Sequence, residues 1–245
     1  MNYEENVIKM NEVFDSSRLE VLDGAENFIE WLYSKYRSQI KGNILEISSG
    51  IGTYSKKIIH DFPDNQITLT EYSDSDVKIL ENEFSTKNIQ CTKLDMNEKE
   101  DFEKLGYDKY DTIICSNVLE HIEKDEFALE QCFKLLKNEG KLILIVPQNP
   151  SLYSQQDEEL GHFRRYTKNE VIKKSEKLGY EILDIKNFNS IGVIGWKLNK
   201  KSKQTKNNPK MIKIFNSIIP LVKGIDDSIT SKFFGLSLIS ILKKT

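Results

Sequence analysis

The sequence predicts an α/β protein whose central sheet is mainly parallel and covered by helices on both faces. Three observations carry the prediction. Strand-like and helix-like runs alternate from residue 43 to residue 146, as they do when each strand is followed by a crossover helix. The runs "DTIICS" and "KLILIVP" are nearly continuous in apolar residues, the pattern of strands buried on both sides. The first strand-like run, "ILEI", breaks into a glycine-bearing turn and then a helical pattern, "SSGIGTYSKKI".

Residues 1–40 read as a helical cap, with Phe28, Trp31, Leu32 and Tyr36 at helical spacing and Lys41-Gly42 closing the segment. The pattern then predicts strands over 43–47, 67–71, 89–94, 110–115 and 141–146, and helices over 53–61, 74–86, 98–105 and 124–137. After Pro147 the polar stretch "QNPSLYSQQDEELGHFRRY" is too long for a simple connection and is expected to be functional or mobile. Thr167 starts a further helix, with Glu170 three residues on as a capping box, and Gly179 ends it. "YEILDIKNF" reads as the next strand and "GLSLISILKK" as the last. The expected organisation is one domain: cap 1–40, ligand-binding core 41–189, a basic and apolar insertion 190–234, and the last strand over 235–245. The apolar run 211–222 has too little surface for a core of its own, so it is expected to pack near the site or on a partner.

Composition narrows the class. With 245 residues, 38% hydrophobic and 30% charged, the chain is expected to be a soluble globular protein. No apolar run reaches the roughly 18 residues of a membrane span. The N-terminal "MNYEENVIKM" lacks a secretory pattern. Cys91, Cys115 and Cys132 are too scattered for a disulfide framework or a zinc motif, and they read as reduced thiols. A cytoplasmic location is expected. The net charge of −3 hides an asymmetry: Lys197 to Lys213 holds seven lysines and no acid, so the body is acidic. That segment is expected to be solvated and mobile, or else to touch an anionic partner or membrane surface weakly.

The turn Ser48–Gly52 is the first functional candidate. Gly50 and Gly52 permit positive φ and close approach of a ligand to backbone N–H groups. Many nucleotide-binding chains carry glycine where Ser48 stands here, and serine is accommodated if its φ is negative. The third glycine of a nicotinamide fingerprint is replaced by Ser55. Glu71 ends the next strand about 20 residues on, where an acid can accept from both ribose hydroxyls. Asp95 ends the third strand, followed by Met96, so the pair could hold an adenine amino group and cover its face.

These residues sit in "ILEISSGIGTYSKKI", "TEYSD", "KLDMN" and "DTIICSNVLEHI", which resemble successive motifs of the class I S-adenosylmethionine-dependent methyltransferases. The resemblance covers roughly residues 25 to 190, with "NVLEHI" followed by "LKNEGKLILIVP" its most specific part. "ELGHFRRYTKNEV" and the C-terminal "GLSLISILKK" are similar to a bacterial subgroup associated with small-molecule and glycan modification. The resemblance implies a Rossmann-like sheet of seven strands, the last antiparallel, and S-adenosylmethionine as cofactor. It implies a cofactor site drawn from Glu46, Ser48, Gly50, Gly52, Glu71, Tyr72, Asp95, Met96 and Asn117, with Glu46 supporting the methionine part.

Methyl transfer to an oxygen requires alignment, exclusion of water and removal of a proton. His162, in the segment that crosses the open side of the site, and His121, after the fourth strand, are the candidate catalytic residues. Tyr153, Arg165 and Tyr166 are the candidate acceptor contacts. Asp157, Glu158, Glu159 and His162 match no strong metal motif, so no metal is expected. The expected acceptor is a small molecule, a sugar or a lipid-linked glycan. Nucleic acid is not expected, because the body is acidic and the Asn/Asp-Pro-Pro-aromatic pattern is missing. Two other readings compete: a nicotinamide-dependent oxidoreductase, which Ser55 and "NVLEHI" speak against, and a non-catalytic binding protein on the same fold.

Overall fold

The structure is a computed structural model and describes residues 25–199 and 209–245. The first part of the expected cap and most of the lysine-rich stretch lie outside the described residues. Helix α1 (Glu26–Ser34) is followed by a 3₁₀ turn at Arg37–Gln39. Strands β1 (Ile44–Ile47), β2 (Ile67–Glu71), β3 (Ile89–Lys93), β4 (Tyr110–Ser116) and β5 (Leu136–Pro147) come next. Helices α2 (Thr53–Asp61), α3 (Asp74–Glu83), α4 (Lys99–Leu105) and α5 (Asp125–Leu135) connect them. The chain continues with α6 (Gln155–Glu159), α7 (Lys168–Lys177), β6 (Tyr180–Phe188), α8 (Ser190–Asn199), α9 (Pro209–Ser228) and β7 (Ser237–Lys244).

The seven strands form one sheet in the order β3-β2-β1-β4-β5-β7-β6. Strands β1 to β5 pair in parallel, and β7 runs antiparallel between β5 and β6. The order reverses between β1 and β4, the switch point where α/β sheets open a crevice at the strands' carboxyl ends. The expected seven-stranded sheet with an antiparallel last strand is therefore what the chain forms.

Alternation along the strands builds two apolar layers. Ile113, Cys115, Leu142 and Leu144 face α4, α5 and α7, while Ile114, Ile143 and Ile145 face α1, α2, α3 and α9. Burying each such aliphatic side chain contributes about 1.5–3 kcal/mol relative to exposure.

Two boundaries differ from the sequence prediction for physical reasons. Helix α3 stops at Glu83, because Phe84 leaves helical geometry and its ring packs where a Cβ on Gly52 would lie. Strand β5 begins at Leu136, directly after α5, with a register shift against β4 between Tyr110 and Thr112. In the polar stretch after β5, the hydroxyl of Ser154 and the carboxylate of Asp157 cap α6 reciprocally. Thr167 and Glu170 cap α7 in the same way, as the sequence predicts.

Between β6 and β7, α9 lies against α1. Asn27 Nδ2 donates to Asn216 O at 3.0 Å and Trp31 Nε1 to Asp227 Oδ1 at 3.1 Å. Phe215, Ile219 and Val222 pack into the core, while Ile214, Ile218, Leu221 and Ile225 are exposed on the other face of the same helix.

Candidate active site

The five parallel strands deliver their carboxyl ends to one crevice. After β1 the turn takes left-handed backbone at Ser48 (φ 53), Gly50 (φ 61) and Gly52 (φ 82). Gly52 is required twice over, by its positive φ and by the Phe84 ring, whose Cε2 is 2.4 Å from the place of a Cβ. The negative φ expected of Ser48 is corrected: the chain must turn out of β1 there, and the serine takes the conformation a glycine would adopt freely. That costs an L-residue roughly 1–2 kcal/mol. Ser48→Gly should therefore raise stability by about 1 kcal/mol, and the melting temperature by about 2–4 °C. An unchanged or lower melting temperature in calorimetry would show that the serine side chain compensates the strain.

Glu71, at the end of β2, organises this turn. Its Oε1 accepts a short hydrogen bond from Gly50 N and its Oε2 accepts from Tyr72 N at 3.1 Å. Burial pushes its carboxyl up to about 7. Ser55, at the missing third glycine, is fully buried and donates a short hydrogen bond to Glu46 Oε2. Burial raises Glu46 to about 7 as well, against the effect of that hydrogen bond. Ser55 thus fixes the carboxyl of Glu46, a role its position in the motif did not suggest.

Ser48, Tyr72, Leu94, Asp95, Met96, Val118, His121 and Ile122 line a cleft that is open to solvent. Asp95 is buried, and Asn97 orients it by donating to Oδ1 from N and Nδ2, both at 2.9 Å. Asn117, like Glu46, Gly50, Gly52 and Glu71, is not among the lining residues. It is exposed with φ 54, and its N–H donates to Ile145 O at 2.8 Å, so the structure places it beside the cleft lining and not in it.

The segment after β5 brings a second group of residues to His121. The rings of His121 and His162 meet edge to face at 4.7 Å. His162 Nδ1 lies 3.0 Å from Asp157 Oδ1, and Nε2 lies 4.0 Å from Glu120 Oε1. A carboxylate only accepts, so the proton of neutral His162 sits on Nδ1 and the Nε2 lone pair faces Glu120. Asp157 is itself held at Oδ1 by Arg165 Nε at 2.8 Å. Burial opposes its ionisation, but the hydrogen bond from His162 and the charge of Arg165 keep it below the usual carboxylate range. Burial lowers His121 to about 3, helped by the charge of His162, so His121 stays neutral. Burial raises Glu120 to about 8, and its Oε2 has no hydrogen-bond partner among the described residues. His60, by contrast, lies on the surface with its side chain 86% exposed.

Two expected acceptor contacts are corrected. Arg165 is buried, spent on Asp157 and Gln148 O, and stacked 4.3 Å from the centroid of the Trp196 ring. Tyr166 is buried, its hydroxyl bonded to Asp125 Oδ2 at 3.0 Å and Leu119 O at 3.2 Å. Both anchor the segment that carries His162. Tyr153 serves the same end, donating from its hydroxyl to His162 O at 2.7 Å. Glu120 is the residue of this group that sequence reasoning missed, and Asp157 was weighed only as a metal ligand. Glu120 lay within the quoted "NVLEHI", and Asp157 lay five residues before His162.

Comparison with known proteins agrees with this geometry. Residues 45–142 match the methyltransferase domain family. A segment of 122 residues, 49% of this chain, is 27% identical to malonyl-[acyl-carrier protein] O-methyltransferase of Bacillus cytotoxicus and covers 40% of it. The matched segment thus spans well under half of that curated relative. A SAM-dependent methyltransferase from Archaeoglobus fulgidus superposes with TM-score 0.57 and 17% identity, over 88% of this chain and 94% of that one. An S-adenosylmethionine-dependent methyltransferase from Mesorhizobium loti gives TM-score 0.62 and 9% identity, over 87% of this chain and 98% of that one. Residues 45–142 thus match a methyltransferase domain, and the fold around them is the one found in S-adenosylmethionine-dependent methyltransferases, whose cofactor is S-adenosylmethionine.

The donor set fits that cofactor. An ionised carboxylate offers about four lone-pair sites, and two on Glu71 are taken by Gly50 and Tyr72, which leaves acceptors for two ribose hydroxyls. No helix among the described residues is long and apolar enough to cross a membrane.

Proposed function

We propose that the chain methylates an oxygen of a small hydroxylated molecule, a sugar or a lipid-linked glycan. The observation that carries this reading is the Asp157–His162 pair, whose imidazole meets His121, a residue of the cleft lining, edge to face. The bound cofactor supplies an electrophilic methyl carbon. Glu71 holds the ribose, Asp95 and Met96 hold the adenine, and Glu46, fixed by Ser55, supports the methionine end. The Nε2 lone pair of His162 is the group assigned to activating the acceptor hydroxyl. His121 is the weaker choice, because its burial disfavours the imidazolium. The relative from Bacillus cytotoxicus is an O-methyltransferase by name, which supports an oxygen acceptor.

The protein is proposed to act as one domain in the cytoplasm, with residues 190–234 as an insertion that meets an anionic bilayer. Support comes from α9. A helix apolar on both faces is ordinarily buried, yet Leu221 is 77% exposed, and Phe233, just beyond the helix, 78%. The lysine-rich stretch 197–213 adjoins this helix in sequence, as in segments that lie on anionic membranes.

One assay tests both parts. Labelled methyl transfer is measured to hydroxylated acceptors, free or embedded in phosphatidylglycerol or phosphatidylcholine vesicles. The expected result is an ether or ester product, formed faster on the anionic vesicles. Labelling of amines alone would overturn the oxygen reading, and equal rates on both vesicles would remove the membrane surface.

A further inference from the structure

Glu120, His121 and His162 each offer one ligand atom, and these atoms all lie within 4.8 Å of one another. We propose that they bind one divalent first-row cation, such as Zn²⁺ or Mn²⁺, with open positions that take neighbouring oxygens of the acceptor. The inference rests on the oxygen-acceptor reading and specifies how the hydroxyl is activated: with a cation bound, the Nε2 lone pair of His162 acts through the metal and not as a free base. It also revises the sequence expectation of no metal, which weighed Asp157, Glu158 and Glu159 with His162 and left Glu120 aside.

Two independent observations point to a ligand. Glu120 is 1% exposed, and its Oε2 has no hydrogen-bond partner among the described residues. A buried carboxylate oxygen left in that state costs free energy unless something meets it. His162 also has the support usual for a metal-binding imidazole: its far nitrogen is bonded to a carboxylate, Asp157, at 3.0 Å. That bond fixes the tautomer that presents Nε2 as a ligand. Charge permits the site as well. Once a cation displaces the Glu120 proton, Glu120 and Asp157 outweigh the single guanidinium of Arg165, which is already paired with Asp157.

Two imidazoles and one carboxylate suit transition ions better than Mg²⁺, which prefers oxygen. Such ions hold nitrogen and oxygen ligands at about 2.0–2.2 Å, so the three ligand atoms must close to about 3–3.5 Å from one another. His162 Nε2 and Glu120 Oε1, at 4.0 Å, are already near that separation. Three protein ligands leave coordination positions open to substrate atoms, so the favoured acceptor carries two adjacent oxygens, as a vicinal diol does. On coordination the acceptor O–H bond breaks, the electron pair stays on the oxygen, and the proton leaves to water.

The test uses untagged full-length protein. Metal-stripped protein is titrated with Co²⁺ and Zn²⁺ by calorimetry, with the Co²⁺ absorption bands followed in parallel. One equivalent per chain is expected. Glu120→Gln and His162→Asn should each weaken it at least tenfold, and Asp157→Asn by about 10–100-fold. Thermal unfolding and donor affinity are measured on every variant to show that each is folded. No stoichiometric uptake by folded wild-type protein would overturn the cation site, and so would uptake that survives Glu120→Gln. Loss of donor binding in the wild type would instead count against the methyltransferase reading, whatever the metal result.

Discussion

Replacing His162 with alanine should lower turnover by roughly 10²–10⁴-fold, the range for losing a positioned proton-transfer group, while donor affinity stays close to wild type. The split follows from where the residue sits. His162 is not among the residues lining the cofactor cleft, whereas His121 is, so His121→Ala should disturb donor binding as well. His162 is also held on both sides: Asp157 fixes its ring, and Tyr153 holds its backbone carbonyl. Alanine removes the Nε2 lone pair but leaves Asp157 bonded to Arg165, so the segment keeps its anchor. Steady-state turnover and donor affinity on both variants check this. Near-normal turnover in folded His162→Ala would reduce the histidine to a packing residue and leave catalysis to positioning alone.

Replacing Glu71 with alanine should weaken S-adenosylmethionine binding by at least tenfold, because hydrogen bonds to a charged group contribute about 1.5–3 kcal/mol each. The variant also deprives Gly50 and Tyr72 N–H groups of their acceptor, so the turn that faces the cofactor loosens. Glu71→Gln separates the two effects, since it keeps an acceptor oxygen without the charge. Burial places the Glu71 carboxyl at about 7, and the ionised form is the better acceptor for two hydroxyls. Donor affinity should therefore rise between pH 6 and 8, by up to about tenfold per pH unit below 7, and flatten above. Glu71→Gln should abolish that dependence. Stability of the unliganded protein runs the other way. Glu46 and Glu71, both near 7, bind protons more tightly folded than unfolded, so their contribution is lost as pH rises from about 4.5 through 7. Neutral, buried His121 opposes this trend below its ordinary value of 6.5.

The parallel strands were legible because burial on both faces leaves runs such as "DTIICS" with little polar interruption. That Glu71, Asp95 and Met96 lie on one edge of the sheet was legible, because parallel strands put their carboxyl ends on the same side. The conformation of Ser48 was not legible, since the need for positive φ comes from the path of the turn and not from the serine. Arg165 and Tyr166 look like acceptor contacts in the sequence because both are polar and lie beside His162. Only the fold shows that Asp157 and Asp125 claim them. Glu120 was hidden for a related reason: a glutamate beside a histidine reads as solvated until it is found buried and facing a second histidine from another segment.

The measurement closest to the central claim is a calorimetric titration of the wild-type protein and Glu71→Ala with S-adenosylmethionine, its demethylated product and a nicotinamide dinucleotide. The account predicts one site per chain for the methyl donor and its product, weakened at least tenfold in the variant as the lost hydrogen bonds require, and no comparable affinity for the dinucleotide. Tighter binding of the dinucleotide than of the methyl donor, or donor affinity unchanged in Glu71→Ala, would contradict it.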